Sequence, residues 1–206
     1  MVMDGFYYAL GFAAGGAVVG YLVGFPYALP FYVLAVFCLY FFRDPDRKIP
    51  EGRIAVSPAD GKIVSIKSES SSTTRVSIFL NIFDVHVNRA PVSGAIAQVR
   101  YQKGKFHVAS RENASTENEQ NTVTLHQDDG TQVIFAQIAG LIARRIVFRK
   151  KTGDSVTMGE RVGLIKFGSR VDVYFGPEWD IAVQPGQRVS AGSSVLARKR
   201  QPNAVA

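Results

Sequence analysis

The chain has 206 residues, with 24 Lys and Arg against 17 Asp and Glu, a net charge of +7, and 47% hydrophobic residues. It is too apolar for a disordered chain. A single Cys excludes a disulfide framework or a multi-Cys zinc site, and three His (His86, His107, His126) leave little for a His-rich cluster, so no metal is expected.

The first element is an uncharged run: residues 5–42 contain no Asp, Glu, Lys, Arg or His. All 24 basic residues fall in 43–206 with 16 acidic ones, so that part carries +8. The run exceeds what one ~30 Å hydrocarbon crossing needs at ~1.5 Å per residue. Pro26 and Pro30 interrupt it. The pattern predicts an α-helical membrane hairpin: one helix over 6–24, a tight turn over 24–30, and a shorter second helix ending at 42. One span with a re-entrant or interfacial piece is the rival arrangement. Gly15, Gly16 and Gly20 suit close helix packing, and Cys38 reads as a small buried hydrophobe. Arg43, Arg47, Lys48 and Arg53 follow at once. This positive-inside signal puts 43–206 on the cytoplasmic side of the cell membrane.

After residue 42 the chain reads as mainly β. Runs 62–66, 75–80, 132–138, 145–148 and 171–175 are short and rich in Val, Ile and Phe, with Gly, Pro, Asp and Asn between them. Residues 110–122 are polar and read as a long surface loop. Gly153, Val156, Gly159 and Val162 recur 33 residues on as Gly186, Val189, Gly192 and Val195. Each copy predicts a strand, a glycine corner and a return strand, as in a small barrel or barrel-sandwich. Biotinyl and lipoyl carrier domains use similar hairpins, so a non-catalytic membrane-anchored carrier or adaptor is the alternative reading.

Four segments carry candidate chemistry. Ser57-Pro58-Ala59-Asp60-Gly61 alone reads as a turn. Asp84 to Pro91 contains His86, which alone reads as a hydrogen-bonded structural residue. Lys166-Phe167-Gly168-Ser169-Arg170 alone reads as a turn or bulge. The basic run Arg144, Arg145, Arg149, Lys150, Lys151 is by default a solvated face, though beside an anchor it would attract anionic lipid. Together, Asp60, His86 and Ser169 offer an Asp–His–Ser relay. No G-x-S-x-G elbow surrounds Ser169. Ser169 instead follows Gly168 directly, where its hydroxyl can attack the preceding carbonyl.

In this order and spacing the motifs resemble the phosphatidylserine decarboxylase proenzymes, in their short bacterial and archaeal form. The resemblance runs through an apolar hairpin, Phe42-Arg43-Asp44-Pro45, the Ser57–Gly61 turn, His86 and Pro91, Glu117-Asn118-Glu119-Gln120-Asn121-Thr122, and Gly163, Lys166, Gly168 and Ser169. It implies self-cleavage between Gly168 and Ser169 into a β chain, 1–168, and an α chain, 169–206, which stay together as a heterodimer. Ser169 would become a covalent pyruvoyl cofactor. His86 would serve decarboxylation and Asp60 would support the base. Arg89 stands where longer bacterial enzymes have a second His, so Ser169 would be activated by His86 serving both steps or by another His. The family's Leu-Gly-Ser-Thr reads Phe167-Gly168-Ser169-Arg170 here. The substrate implied is an anionic phospholipid in a membrane, with a phosphatidylserine or archaetidylserine backbone. A higher homo-oligomer is left open, and no nucleic-acid partner is expected. Lys166, flanked by Ile165 and Phe167 rather than Met, argues against a biotinyl carrier. A Ser169/Lys166 protease would leave Asp60 and His86 unexplained.

Overall fold

A computed structural model describes residues 3–109, 112–141, 145–166 and 168–200. Chain contacts divide it into two compact units, Met1–Asp46 and Arg47–Ala206.

The first unit is a helix pair, α1 (Met3–Leu22) and α2 (Phe25–Phe41). The turn between them is shorter than the prolines suggested. Gly24, at φ 120°, ends the turn, Pro26 lies in the first turn of α2, and Pro30 lies inside α2. Proline is tolerated in a first turn because its missing N–H has no intrahelical acceptor there. Pro30 forfeits a single backbone bond, one turn further on. The small residues of α1 admit side chains of α2: a Cβ on Gly16 would lie 3.0 Å from Phe31 Cβ, and one on Gly20 3.3 Å from Ala28 Cβ. α1 is long and apolar enough to cross a membrane once, whereas α2, at 17 residues, falls just short.

The second unit is mainly β, with a large sheet curled into a half-barrel. Its elements are β1 (Ile54–Val56), β2 (Gly61–Ser70), β3 (Thr73–Leu80), β4 (Val87–Arg89), β5 (Gly94–Gln102), α3 (Ala114–Glu117), β6 (Gln120–His126), β7 (Gln132–Ala139), β8 (Ile146–Phe148), β9 (Ser155–Val156), β10 (Arg161–Ile165), β11 (Ser169–Phe175), β12 (Trp179–Ile181), β13 (Arg188–Val189) and β14 (Val195–Lys199). The large sheet runs β13-β2-β3-β11-β7-β6-β5-β9. Two three-stranded sheets, β1-β14-β12 and β4-β10-β8, accompany it. All five β runs read from the sequence coincide with strands.

Strand alternation sorts β11 into two faces. Val171, Val173 and Phe175 enter the main core with Ile63, Ile78, Leu80, Phe135 and Leu196. Arg170 and Asp172 point to the other face and are also buried. Arg170 Nε donates to Asp172 Oδ1 at 2.6 Å, and its other end donates to Ser77 Oγ at 2.6 Å. Ser115 Oγ, from α3, donates to Asp172 Oδ2 at 2.7 Å. Residues 110–122 are therefore not a surface loop. Residues 110–111 lie outside the described residues, but Ala114, Ser115, Asn118 and Asn121 are buried and 120–122 open β6. Polar side chains here meet buried polar partners, so composition misled the reading.

The 33-residue repeat is structural. Its glycines Gly153, Gly159, Gly186 and Gly192 all have φ between 76° and 93°. The Gly153 N–H donates to Ile96 O, and the Ile96 N–H to Asp154 O. The Gly186 N–H donates to Ile63 O, and the Ile63 N–H to Gln187 O. The same offset relates Ser57-Pro58-Ala59-Asp60-Gly61 to Ala90-Pro91-Val92-Ser93-Gly94. In one copy Ser93 Oγ accepts the Met158 N–H, and in the other Asp60 Oδ1 accepts the Ala191 N–H.

Candidate active site

Leu80, Ser169 and Ala139 lie side by side: Ser169 opens β11 and pairs with the last residues of β3 and β7. Ser169 is completely buried, and its Oγ has no hydrogen-bond partner among the described residues. An orphaned buried hydroxyl is costly, so it points to a function rather than to stability. Gly168 has φ +58°, a conformation that costs a residue with a Cβ. Its carbonyl oxygen lies 2.2 Å from where a Cβ on Gly140 would sit. Gly140 therefore makes room for the Gly168 carbonyl. Phe167 lies outside the described residues.

Asn118 closes this end of the sheet. Its Nδ2 donates to Ala139 O at 2.7 Å and to His107 O at 2.9 Å, while its Oδ1 accepts the His107 N–H at 2.9 Å. The side chain thus holds the 107 segment against the strand end that leads into Gly140.

His86 is buried, one residue before β4. Its Nδ1 lies 2.8 Å from Asp84 O. A carbonyl can only accept, so Nδ1 carries the proton and Nε2 is the basic nitrogen in the neutral ring. Asp84 accepts the Asn81 N–H at 2.9 Å and is ion-paired to Arg188. Pairing of β4 with β10 sets His86 beside Ile165, whose N–H donates to His86 O at 3.4 Å. Residues 166–168 then lead directly to Ser169. His86 and Ser169 are thereby gathered at one end of the fold.

Asp60 reaches the same end by another route, immediately before β2 and across β3 from Ser169. Its carboxylate accepts two bonds from Arg47, at 2.9 and 2.8 Å, and the Ala191 N–H at 2.8 Å. Among the described residues it makes no hydrogen bond to His86. Arg47 was read from the sequence only as part of a positive-inside signal; the bonds from one of its guanidinium nitrogens to both Asp60 oxygens are a tertiary contact. Arg89, at the second-His position, donates through its guanidinium to Gly159 O at 3.0 Å.

Further contacts escaped sequence reading. Asn121 Nδ2 donates to Gln137 Oε1 at 3.0 Å, Gln137 Nε2 to Asn88 Oδ1 at 2.9 Å, and Asn88 Nδ2 to Pro58 O at 3.4 Å. This buried chain of amides ties β6 and β7 to β4, two residues after His86, and to the Asp60 turn. The alternation of Asn121 and Gln137 with apolar core residues was the available signal. Arg170, read only as a departure from the family pattern, has Asp172 two residues on, the spacing of a same-face pair in a strand. Of the basic run, Arg144 lies outside the described residues; Arg145 and Lys151 are exposed. Lys166 is buried, unlike a carrier lysine displayed at a hairpin tip.

The family model for phosphatidylserine decarboxylase matches residues 34–197. The chain belongs to the phosphatidylserine decarboxylase family. A phosphatidylserine decarboxylase proenzyme from Solibacter usitatus (strain Ellin6076) is 63% identical over 199 residues, covering 97% of each chain. One from Solidesulfovibrio magneticus is 49% identical over 170 residues, covering 80% of this chain and 79% of the relative. One from Ralstonia pickettii is 47% identical over 180 residues, covering 84% of each. As a member of the phosphatidylserine decarboxylase family the chain is an enzyme of the decarboxylase class.

Proposed function

We propose that this protein converts phosphatidylserine to phosphatidylethanolamine and CO₂ at a membrane, with a pyruvoyl group made from its own Ser169. The observation that carries this reading is the buried Ser169 Oγ, unpartnered among the described residues, next to a Gly168 carbonyl lodged in the space Gly140 leaves open. The names of the family relatives supply the substrate and the proenzyme state.

The Ser169 hydroxyl adds to the Gly168 carbonyl, and the Ser169 amine leaves, turning the amide into an ester. Loss of the Ser169 Cα proton then expels the carboxylate of residues 1–168. Hydrolysis of the remaining enamine releases ammonia and leaves the pyruvoyl group at the new terminus. Once present, that group supplies the electron sink that no side chain provides for decarboxylation α to an amine.

His86 donates the proton that replaces CO₂ on the substrate's α-carbon. Its ring is fixed by Asp84 O, which aims Nε2 as the working nitrogen. For self-cleavage, position separates the remaining histidines. His126 ends β6, at the opposite end of the sheet from Ser169, about 20 Å along the strand at ~3.4 Å per residue. His107 lies at the Ser169 end, held by Asn118. The base is therefore His86, or else His107. Asp60 supports this end through Arg47 and the Ala191 turn, and its charge acts on the base through the local field.

The α chain, 169–206, would remain bound after cleavage. β11 lies between β3 and β7, β13 pairs with β2, and β14 pairs with β1. The buried Arg170–Asp172 pair adds contacts to Ser77 and Ser115 of the other chain. In this reading the helix pair anchors the enzyme in the cell membrane with the catalytic unit on the cytoplasmic side; the length and apolar composition of α1 support the anchor, and the basic residues after the pair support the side.

Denaturing mass analysis of the purified protein tests this. Two chains meeting at Gly168/Ser169 are expected, with a carbonyl in place of the Ser169 amine. Ser169→Ala should give one folded, inactive chain, because a methyl group cannot attack. An active protein consisting of one uncleaved chain refutes the pyruvoyl mechanism.

A further inference from the structure

Large apolar side chains are exposed unevenly over the second unit. Among its described residues, those exposed are Ile82, Phe83, Tyr101, Val108 and Leu141. All five lie at the Ser169 end of the large sheet. Ile82 and Phe83 follow Leu80, the partner of Ser169 on β3. Leu141 follows Ala139, the partner on β7. Val108 adjoins His107, which Asn118 ties to Ala139. Tyr101 lies next to the last residue of β5, where Gln102 pairs with Gln120 and Gln120 with Ile138. Four inter-strand spacings of ~4.8 Å separate β3 from β5, so these tips share a strip about 20 Å long.

The opposite end of the sheet is different. Its tips, 70–73, 127–131 and 176–178, consist of Ser, Thr, Gln, Asp, Gly, Pro and Glu. Their charges, Asp128, Asp129 and Glu178, are acidic, with Asp129 ion-paired to Lys199, whereas Lys103, Lys105 and Arg145 are exposed near the apolar tips, where Glu117 is neutralised by its ion pair with Lys105. A soluble surface scatters single apolar residues and needs no explanation for them. Their concentration at one end, beside basic residues and around the reacting serine, needs one.

We infer that this rim is a bilayer-docking surface: Phe83, Val108 and Leu141 insert among the acyl chains while Lys103 and Arg145 meet anionic headgroups. The occupant is a lipid bilayer rather than another protein copy. The positive flank matches anionic lipid, and the same chain carries an apolar helix long enough to span a membrane. The rim sets the end of the sheet that carries Ser169 against the surface that holds the substrate. A lipid headgroup then reaches the site without its acyl chains crossing water. This deepens the proposed function and rests on its lipid substrate for the second readout below, but not for the first.

The test uses the full chain in vesicles of phosphatidylcholine and phosphatidylglycerol with brominated acyl chains, which quench indole fluorescence on contact. The sole native Trp, Trp179, is buried and provides the baseline. Phe83→Trp and, separately, Val108→Trp should add emission that is blue-shifted and quenched by bromine. Asp128→Trp, at the far tip, should add emission that is not. The second readout compares Phe83→Asp with wild type on phosphatidylserine in vesicles and on a short-chain phosphatidylserine dissolved as monomers. The ratio of the first turnover to the second should fall about tenfold, a shift that a general catalytic defect would not produce. Unquenched emission from both rim indoles overturns the inference, as does an unchanged ratio. Blue-shifted but unquenched emission means a second copy covers the rim, which also overturns it. If wild type turns over neither substrate, the proposed function fails, and the quenching arm still decides the docking.

Discussion

Gly140 and the Gly168 carbonyl occupy space that a single methyl group would contest. A Cβ on Gly140 would lie 2.2 Å from Gly168 O and 3.1 Å from Ala109 Cβ. Backbone cannot yield at that distance without moving the carbonyl that Ser169 is proposed to attack. Gly140→Ala should therefore slow maturation at least tenfold while costing about 1–3 kcal/mol in stability, the usual range for overpacking. Gly130→Ala is the control, since nothing lies within 4 Å of its Cβ position. Precursor and product would be followed on denaturing gels with and without hydroxylamine, which cleaves an accumulated ester. Normal maturation of Gly140→Ala would show that the carbonyl's placement is immaterial. Rapid hydroxylamine cleavage would move the block to the later elimination.

His86→Ala should abolish decarboxylation, because no other described His is both buried and set beside the strand that leads to Ser169. His126→Ala, at the far end of β6, should leave both maturation and turnover near normal. His107→Ala discriminates between the two candidate bases: slowed self-cleavage with normal turnover of the mature fraction would make His107 the activating group. Radiolabelled CO₂ release and the fraction of cleaved chain are the two measurements. Near-normal turnover in His86→Ala would sink its assignment.

Asp60 has a counterpart in the repeat, Ser93, and both accept one turn N–H. Only Asp60 also binds Arg47. Asp60→Ser copies the counterpart and Asp60→Asn keeps the shape, so both should fold. Each is expected to mature at least tenfold more slowly if the charge serves the site, a loss of about 1.4 kcal/mol or more in transition-state stabilisation. A wild-type maturation rate in both would leave Asp60 as a turn residue alone.

Asp172→Asn removes the charge that pairs with buried Arg170 and accepts from Ser115. Breaking one partner of a buried pair typically costs ~3–5 kcal/mol, because the other charge is left uncompensated. A lowered denaturant midpoint is expected, together with weaker retention of the 169–206 fragment by the rest of the chain. A midpoint within error of wild type would show that the pair holds neither the fold nor the fragment.

The sequence by itself determined the features that depend on local chemistry. A long uncharged run predicts apolar helix, short segments rich in β-branched residues form strands, and glycines at a 33-residue offset mark corners that need positive φ. The order and spacing of the motifs, from the apolar hairpin and Phe42-Arg43-Asp44-Pro45 through Asp60, His86 and Glu117–Thr122 to Gly168 and Ser169, were enough to suggest the family, though not the geometry of the site. Pro30 misled because the α2 helix tolerates one missing backbone bond. Residues 110–122 misled because a polar side chain gives no local sign of whether water or a buried partner will satisfy it. Tertiary structure alone decided that Asp60 is held by Arg47 and Ala191, that Arg170 is a buried ion-pair partner, and that Gly140 faces the Gly168 carbonyl. Each is a contact between segments far apart in the chain, made only when antiparallel register brings strand ends together. Spacing along a chain does not encode that register, which arises from the burial of one sheet face against the core.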